Sequence, residues 1–316
     1  MSQQSAFEYI RHGQIPFFRL PLANLAARGS EAYRGSDAVV LGVPYDGGTT
    51  YQPGARFGPY HVRRVSALIQ GFDPALKLDP FQKLSVVDGG NIALPPFNDA
   101  AARELIHAEI AAVLESGAAP FLVGGDHSIT LPALRAVEGR HGPIAVVHVD
   151  AHFDTSGPEV WGESHHHGTP FRHALENGLI ERGQLHQVAI RVTWKNAAER
   201  EFSDAHGASV YGMDEIDARG IEGIARAIKQ AIGDRPTYVS FDIDAVDPAF
   251  APGTGTPVPG GLTSREALRL LRQLAGVHIV GMDVVEVAPA LDHADATVNL
   301  AAHLLFTGLG LLAIRR

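Results

Sequence analysis

Asp150, His152 and Asp154 occupy every second position at the end of the apolar run VVHVDAHFDT, residues 146–155. Side chains at i, i+2 and i+4 of an extended chain leave the same face, so this spacing gathers two carboxylates and an imidazole into one small volume. Such crowding is unfavourable unless a cation shares the space, and residues 141–171 contain no lysine or arginine. A bound metal ion is therefore the expected partner. His148 has the same parity but lies deeper in the run, where a hydrogen-bonded core histidine is expected.

Two further clusters repeat the pattern. Asp242 and Asp244 share a face in FDIDAVDPAF, whereas Asp247, directly ahead of Pro248, reads as a turn residue. In GGDHSIT, Gly124 and Gly125 permit a sharp bend before Asp126 and His127, with Asp126 reading equally well as a helix N-cap. Together the clusters offer His127, Asp150, Asp154 and Asp242 to one ion and Asp150, His152, Asp242 and Asp244 to a second, with Asp150 and Asp242 bridging. Four ionised carboxylates this close require about two divalent cations to remain charged. A donor set of carboxylates and two imidazoles, without thiolate, suits Mn²⁺ or another hard octahedral ion better than tetrahedral zinc. Two such ions roughly 3.5–4 Å apart lower the pKa of a bridging water and supply hydroxide near neutral pH, so hydrolysis is the expected chemistry.

Positioning these groups requires rigid elements, and the sequence supplies them. Short apolar runs occur at 37–43, 84–90, 119–125, 144–150, 186–192, 208–214, 237–243 and 277–287. Helix-patterned stretches such as DAAARELIHAEIAAVLESG and REALRLLRQLAG separate them, each ending in glycine, a common helix stop. Strand alternating with helix predicts parallel pairing in an α/β fold. An eight-stranded barrel has the same strand count, so sheet and barrel both remain open on this pattern. In either architecture ligands gather at the carboxyl ends of the strands, which is where the three clusters fall.

Composition narrows the function classes. The 316 residues are 45% hydrophobic and 19% charged, which describes a globular chain with an ample core. The absence of cysteine excludes disulfides, thiolate-bound zinc and a cysteine nucleophile. A formal net charge of −9, with no basic run interleaved with aromatics, speaks against a nucleic-acid surface. The first residues lack a basic start followed by an apolar core, and the longest apolar stretch, LLFTGLGLLAI at 304–314, is too short to cross a bilayer, so no membrane partner and a cytoplasmic location are expected.

GARFGP at 54–59, GGDHS, DAHFD, SFDIDAVDPAFAPGTGTPVPGG and DVVEVAP, in this order and spacing, resemble the ureohydrolase family of arginase, agmatinase and related guanidino-acid hydrolases. The likeness runs from about residue 37 to the end, within the agmatinase and guanidino-acid hydrolase branch. It implies a three-layer α/β/α fold with a roughly eight-stranded parallel sheet, so the sheet is preferred to the barrel. The continuous alternation of strand and helix, without a Ser/Pro-rich linker, reads as a single domain over 1–316, with residues 1–36 expected as an N-terminal extension packing on it. The likeness further implies two Mn²⁺ per subunit on His127, Asp150, His152, Asp154, Asp242 and Asp244, and a homo-oligomer, trimer or hexamer. Glu286, in DVVEVAP, falls where the family places the carboxylate that pairs with the substrate guanidinium, whose planar donors match it in bidentate fashion. His167, in HHGTPF, matches the family's proton-shuttling histidine, and Asp154 would carry a proton to the departing amine. The products are then urea and an amine.

The substrate's tail should meet the loop TSGPEVWGESHHHGT, residues 155–169. Glu159 and Glu163 suit an ammonium, Ser164, His165 and His166 a carboxylate, and Trp161 a methylene chain. Ser156 stands where arginases carry an asparagine that contacts the amino-acid end, which disfavours arginine. Segment 237–261 and GMDVVEVAPALD are most like agmatinases and point to agmatine, cleaved to putrescine and urea. IPFFRLPL at 15–22 and HHGTPFRHA at 166–174 are more like guanidinobutyrase, guanidinopropionase or proclavaminate amidinohydrolase, and a guanidino acid is the alternative. A two-metal phosphohydrolase and a catalytically silent metal-binding homologue are the remaining readings, the former lacking the cationic phosphate clamp it usually carries.

Overall fold

Every residue of β1 (Ala38–Gly42), β3 (Ala119–Val123), β4 (Ile144–Val149), β7 (Thr237–Asp242) and β8 (Ile279–Val285) is buried. Strands of this kind need cover on both faces. The computed structural model, which describes residues 15–24, 27 and 29–316, provides it. With β2 (Val86–Asn91), β5 (Ile180–Ile190) and β6 (Ser209–Gly212) they form an eight-stranded sheet in the order β2-β1-β3-β8-β7-β4-β5-β6, with every pairing parallel. The sheet is open, with β2 and β6 at its edges, which excludes the barrel.

Alternation along the strands divides the core. Val40, Phe121, Val123, Val147 and Val149 point to one face, where α1 (Gly58–Ser66), α2 (Pro80–Lys83), α7 (Met213–Ile232), α8 (Ser264–Gln273) and α9 (Ala296–Arg315) pack. Val39, Leu41, Leu122 and Val146 point to the other, against α3 (Asp99–Glu115), α4 (Thr130–His141) and α5 (Pro170–Glu176). Helix α6 (Ala198–Ala205) follows β5. Of the expected N-terminal extension, residues 1–14 lie outside the described residues; Phe17 and Phe18 are fully buried, with Phe18 packed on Phe81 and Phe306.

The apolar run at 304–314 belongs to a longer element than the sequence suggested. Helix α9 spans twenty residues and is long and apolar enough to cross a membrane, yet 83% of its apolar window is buried inside the protein. It is a core helix, covered on all but the narrow face where the polar Asn299 and His303, one turn apart, are exposed.

One core residue has a consequence for stability. His186 on β5 is fully buried with neither ring nitrogen partnered among the described residues, and burial lowers its pKa from 6.5 to about 4. Between these values the unfolded chain binds a proton that the native protein does not, so stability is complete above pH 6.5 and falls as the pH drops toward 4. His186→Leu should therefore flatten this acid limb by about 2 to 3 kcal/mol at pH 4.5. Urea melts of both proteins at pH 7 and 4.5 measure it; equal pH slopes would contradict it.

Candidate metal centre and active site

Strand order explains how residues far apart in sequence meet. Strands β3, β8, β7 and β4 are neighbours in the middle of the sheet, and their carboxyl ends deliver His127, Glu286, Asp242 with Asp244, and Asp150 with His152 and Asp154. After β3 the chain bends at Gly125 and Asp126 as expected, but Gly124 and Gly125 keep φ out of the left-handed region, so conformational freedom is not what requires glycine there. The need is steric: a Cβ on Gly125 would stand 1.6 Å from the Tyr45 carbonyl oxygen. Asp126 takes the capping role, accepting from the amides of Ser128 (3.0 Å) and Gly48 (2.7 Å). Burial, then the nearby Glu286 charge, raises its pKa to about 6.

The expected ligands converge in two groups. His127 Nδ1 lies 3.1 Å from Asp150 Oδ2, 2.9 Å from Asp154 Oδ2 and 3.1 Å from Asp242 Oδ2. His152 Nδ1 lies 3.3 Å from Asp150 Oδ1 and 3.0 Å from Asp244 Oδ2. Asp150 thus presents one oxygen to each group. The second oxygen of each expected bridging residue also accepts from a main-chain amide, Asp150 Oδ1 from His152 at 2.6 Å and Asp242 Oδ1 from Asp244 at 2.8 Å. Burial, followed by the charges of Asp244 and Asp150, pushes the Asp242 carboxyl well above its usual range. Burial raises Asp244 too. For Asp150 burial acts in the same direction, but His148, His127 and His152 outweigh it and hold the carboxyl well below its usual range.

The surrounding hydrogen bonds test whether these residues fit a metal. Ser240 Oγ donates to Asp283 Oδ1 at 2.7 Å and so accepts from His127 Nε2 at 2.8 Å. This network assigns the proton to Nε2 and leaves the Nδ1 lone pair facing three carboxylates. Nδ1 is buried and has no hydrogen-bond partner among the described residues. A nitrogen lone pair aimed at three anionic oxygens is the arrangement a divalent cation satisfies, so the cluster suits a binuclear metal site. His148 is excluded as a ligand by the same reasoning. Its Nδ1 accepts from Gln187 (3.2 Å), so its Nε2–H donates to Asp150 Oδ2 (2.7 Å) and fixes that carboxylate.

Asp283, fully buried, also accepts from Tyr238 Oη (2.9 Å) and Thr130 Oγ1 (2.8 Å). Ser240→Ala removes the group that orients His127 without touching a ligand, and should weaken metal affinity by about 10- to 100-fold. Isothermal titration of the metal-stripped proteins with Mn²⁺ measures this; unchanged affinity would refute the relay.

Glu286 and Asp154 both have backbone φ in the left-handed region, 63° and 52°, which is strained for residues of this type. Glu286 Oε1 accepts from the His127 amide (3.0 Å) and pairs with His167 Nδ1 (2.8 Å). His167 Nε2 meets Thr50 Oγ1 at 2.8 Å. Burial alone would lower the His167 pKa, but Glu286, then Asp154 and Asp126, together raise it to about 9. In front of these groups lies a cavity of about 640 Å³, whose walls include His152, Asp154, Asp242, Asp244, His166, His167, Ser156 and Trp161.

The loop residues sort differently from expectation. His166 and Trp161 line the cavity, whereas Glu159, Glu163, Ser164 and His165 do not. His165 instead stacks on His173, with ring centroids 4.4 Å apart, and Glu159 faces a smaller neighbouring cavity. The Ser156 hydroxyl donates to Glu199, so it is occupied within the protein. Glu199 and the 50–52 segment are cavity residues that sequence reasoning missed. The available signal for Glu199 was an acidic residue in the first turn of the helix that follows a strand's carboxyl end.

A family model described as the Arginase family matches residues 36–310. Proclavaminate amidinohydrolase of Streptomyces clavuligerus is 46% identical over 295 residues, covering 93% of this chain and 92% of its own. Its solved structure superimposes with a TM-score of 0.89 at 44% identity, covering 97% of this chain and 99% of that one. Agmatinase of Chromobacterium violaceum is 42% identical over 277 residues, covering 87% of this chain and 83% of its own.

Proposed function

The chain belongs to the arginase family, a hydrolase family acting on guanidino compounds, and we propose that it cleaves agmatine to putrescine and urea at a binuclear manganese site. The observation that carries the reading is the His127 Nδ1 lone pair set among three carboxylate oxygens, beside a second group of Asp150, His152 and Asp244. His127, Asp150, His152, Asp154, Asp242 and Asp244 hold the two ions in this reading, and the predominance of oxygen donors favours Mn²⁺. Bound there, such ions supply Lewis acidity and activate water for attack at neutral pH.

The protein's own groups supply the rest. Glu286, 2% exposed and adjacent to the ligand cluster, receives the guanidinium, whose donors replace those of His167 on the same carboxylate. That exchange frees His167, which carries a proton at neutral pH because of its raised pKa, to return it to the reacting site. Asp154, which has positive φ and lines the cavity, takes the proton that the attacking water gives up and hands it to the departing amine.

Agmatine is favoured because no lysine or arginine is among the described residues lining the cavity, so nothing there carries a fixed positive charge for a carboxylate tail. The second reading, a guanidino acid, is favoured by the 46% identity to proclavaminate amidinohydrolase and by His166 Nε2, which is buried without a partner in a residue on the cavity wall. Urea release from agmatine, guanidinobutyrate, guanidinopropionate and arginine, assayed side by side with Mn²⁺ present, separates them. The agmatine reading predicts the largest kcat/KM for agmatine, and negligible release from it would remove that reading.

A further inference from the structure

Among the described residues no lysine, arginine or histidine stands within ion-pair distance of the Glu199 carboxylate, although His152 acts on it from farther off. Glu199 is 7% exposed in the first turn of α6 and lines the cavity that holds the candidate ligands. Ser156 Oγ donates to its Oε1 and holds the side chain, and its main-chain carbonyl accepts from Thr155 Oγ1 at 3.3 Å, so Glu199 is tied to the segment after β4 that carries the aspartates. Arg172 and Lys195 line the smaller neighbouring cavity with it, yet neither reaches ion-pair distance. Arg172 is engaged by Glu176 (3.0 Å) and by the Thr155 carbonyl (3.4 Å), and lies over the Phe202 ring. Burial, followed by the nearby Asp154 and Asp150 carboxylates, raises the Glu199 pKa to about 7.

A buried carboxylate that is neither paired nor fully hydrogen-bonded carries a desolvation cost, which it sheds either by taking up a proton or by meeting a cation. The other residues on this part of the wall, Trp161, Trp194, Val192 and Val258, provide apolar surface suited to methylenes. The head of a guanidino substrate is assigned to Glu286, and Asp154, Asp242 and Asp244 on the cavity wall are assigned to the ions, so Glu199, the remaining carboxylate on that wall, has the far end as its natural partner. We propose that Glu199, held by Ser156, is the specificity-determining residue that receives a distal ammonium on the substrate. The assignment deepens the agmatine reading and rests on it.

The test uses three substrates with the same guanidinium head and different tails: agmatine (ammonium), butylguanidine (methyl) and guanidinobutyrate (carboxylate). Glu199→Gln should raise KM for agmatine by on the order of thirtyfold or more with kcat little changed, because it removes one partner of a desolvated ion pair. KM for butylguanidine should stay as in the unaltered enzyme, and guanidinobutyrate should bind no worse. Comparing substrates within one variant cancels any general loss of folded protein. If Glu199→Gln does not fold, Glu199→Asp, which withdraws the charge by one methylene, should give the same selective loss in smaller degree. Equal losses on agmatine and butylguanidine, or agmatine kinetics unaffected by the variant, would overturn the role of Glu199 and leave the agmatine reading standing. An unaltered enzyme that hydrolyses guanidinobutyrate but not agmatine would overturn the substrate reading itself, and the assignment with it.

Discussion

Asp242→Asn should raise the melting temperature of the metal-free protein and at the same time remove its hydrolytic activity. Without cations, Asp242 shares a fully buried space with Asp244 and Asp150, and burial and their charges push its carboxyl well above the usual range. An amide of the same shape carries no charge to be repelled and keeps an oxygen for the Asp244 amide, which Asp242 Oδ1 now accepts at 2.8 Å. In the loaded protein the proposed role reverses the balance, because Asp242 would then be a ligand whose charge the ions require. Losing one anionic ligand costs several kcal/mol of transition-state stabilisation, on the order of a thousandfold in kcat/KM. Differential scanning calorimetry of the stripped proteins and urea release by the Mn²⁺-loaded ones measure the two halves. A stripped variant less stable than its parent, or a loaded one within tenfold of it, would contradict the account. Stability traded against function in this way is expected where like charges are gathered for a ligand.

Glu286→Gln separates substrate binding from metal binding. Glutamine keeps an oxygen for the His127 amide, which Glu286 Oε1 now accepts at 3.0 Å, so the position of His127 should survive. What disappears is the negative charge opposite the guanidinium. Truncating a desolvated charge pair of this kind costs 2 to 5 kcal/mol as a rule, so kcat/KM should fall by about thirtyfold to several thousandfold. His167 also loses the attraction of Glu286, the largest influence raising its pKa, so that pKa should fall back from about 9. Metal analysis of the purified variant should still find two ions per chain. A variant that lost its metal, or one that kept full activity, would place Glu286 outside the proposed role.

Much of this site was legible because it follows from periodicity. The two-residue repeat of Asp150, His152 and Asp154 needs only an extended chain to bring the groups to one side, and all eight apolar runs became strands. What was not legible depends on register between strands. Ser240 and Asp283 pair directly across β7 and β8, and this pairing builds the relay that aims His127. No local pattern in either strand announces it. The same holds for His148, correctly expected to be a hydrogen-bonded core histidine, whose partner turns out to be the candidate ligand Asp150. Loop residues were the least legible. Glu159 and Glu163 stand close in sequence to the ligands but turn away, while Glu199, forty-three residues beyond Ser156, closes the cavity wall. Proximity along the chain is a poor guide where packing of a loop against a helix decides which side chains face inward.

The central claim is that two divalent ions in the His127 and His152 groups turn a guanidino compound into urea. Titrating Mn²⁺ into chelator-stripped protein while following urea release from agmatine and guanidinobutyrate tests it most directly. Activity should be absent at the start and should saturate as the second ion per chain is bound. Full activity in the stripped protein, or saturation at a single ion, would contradict it.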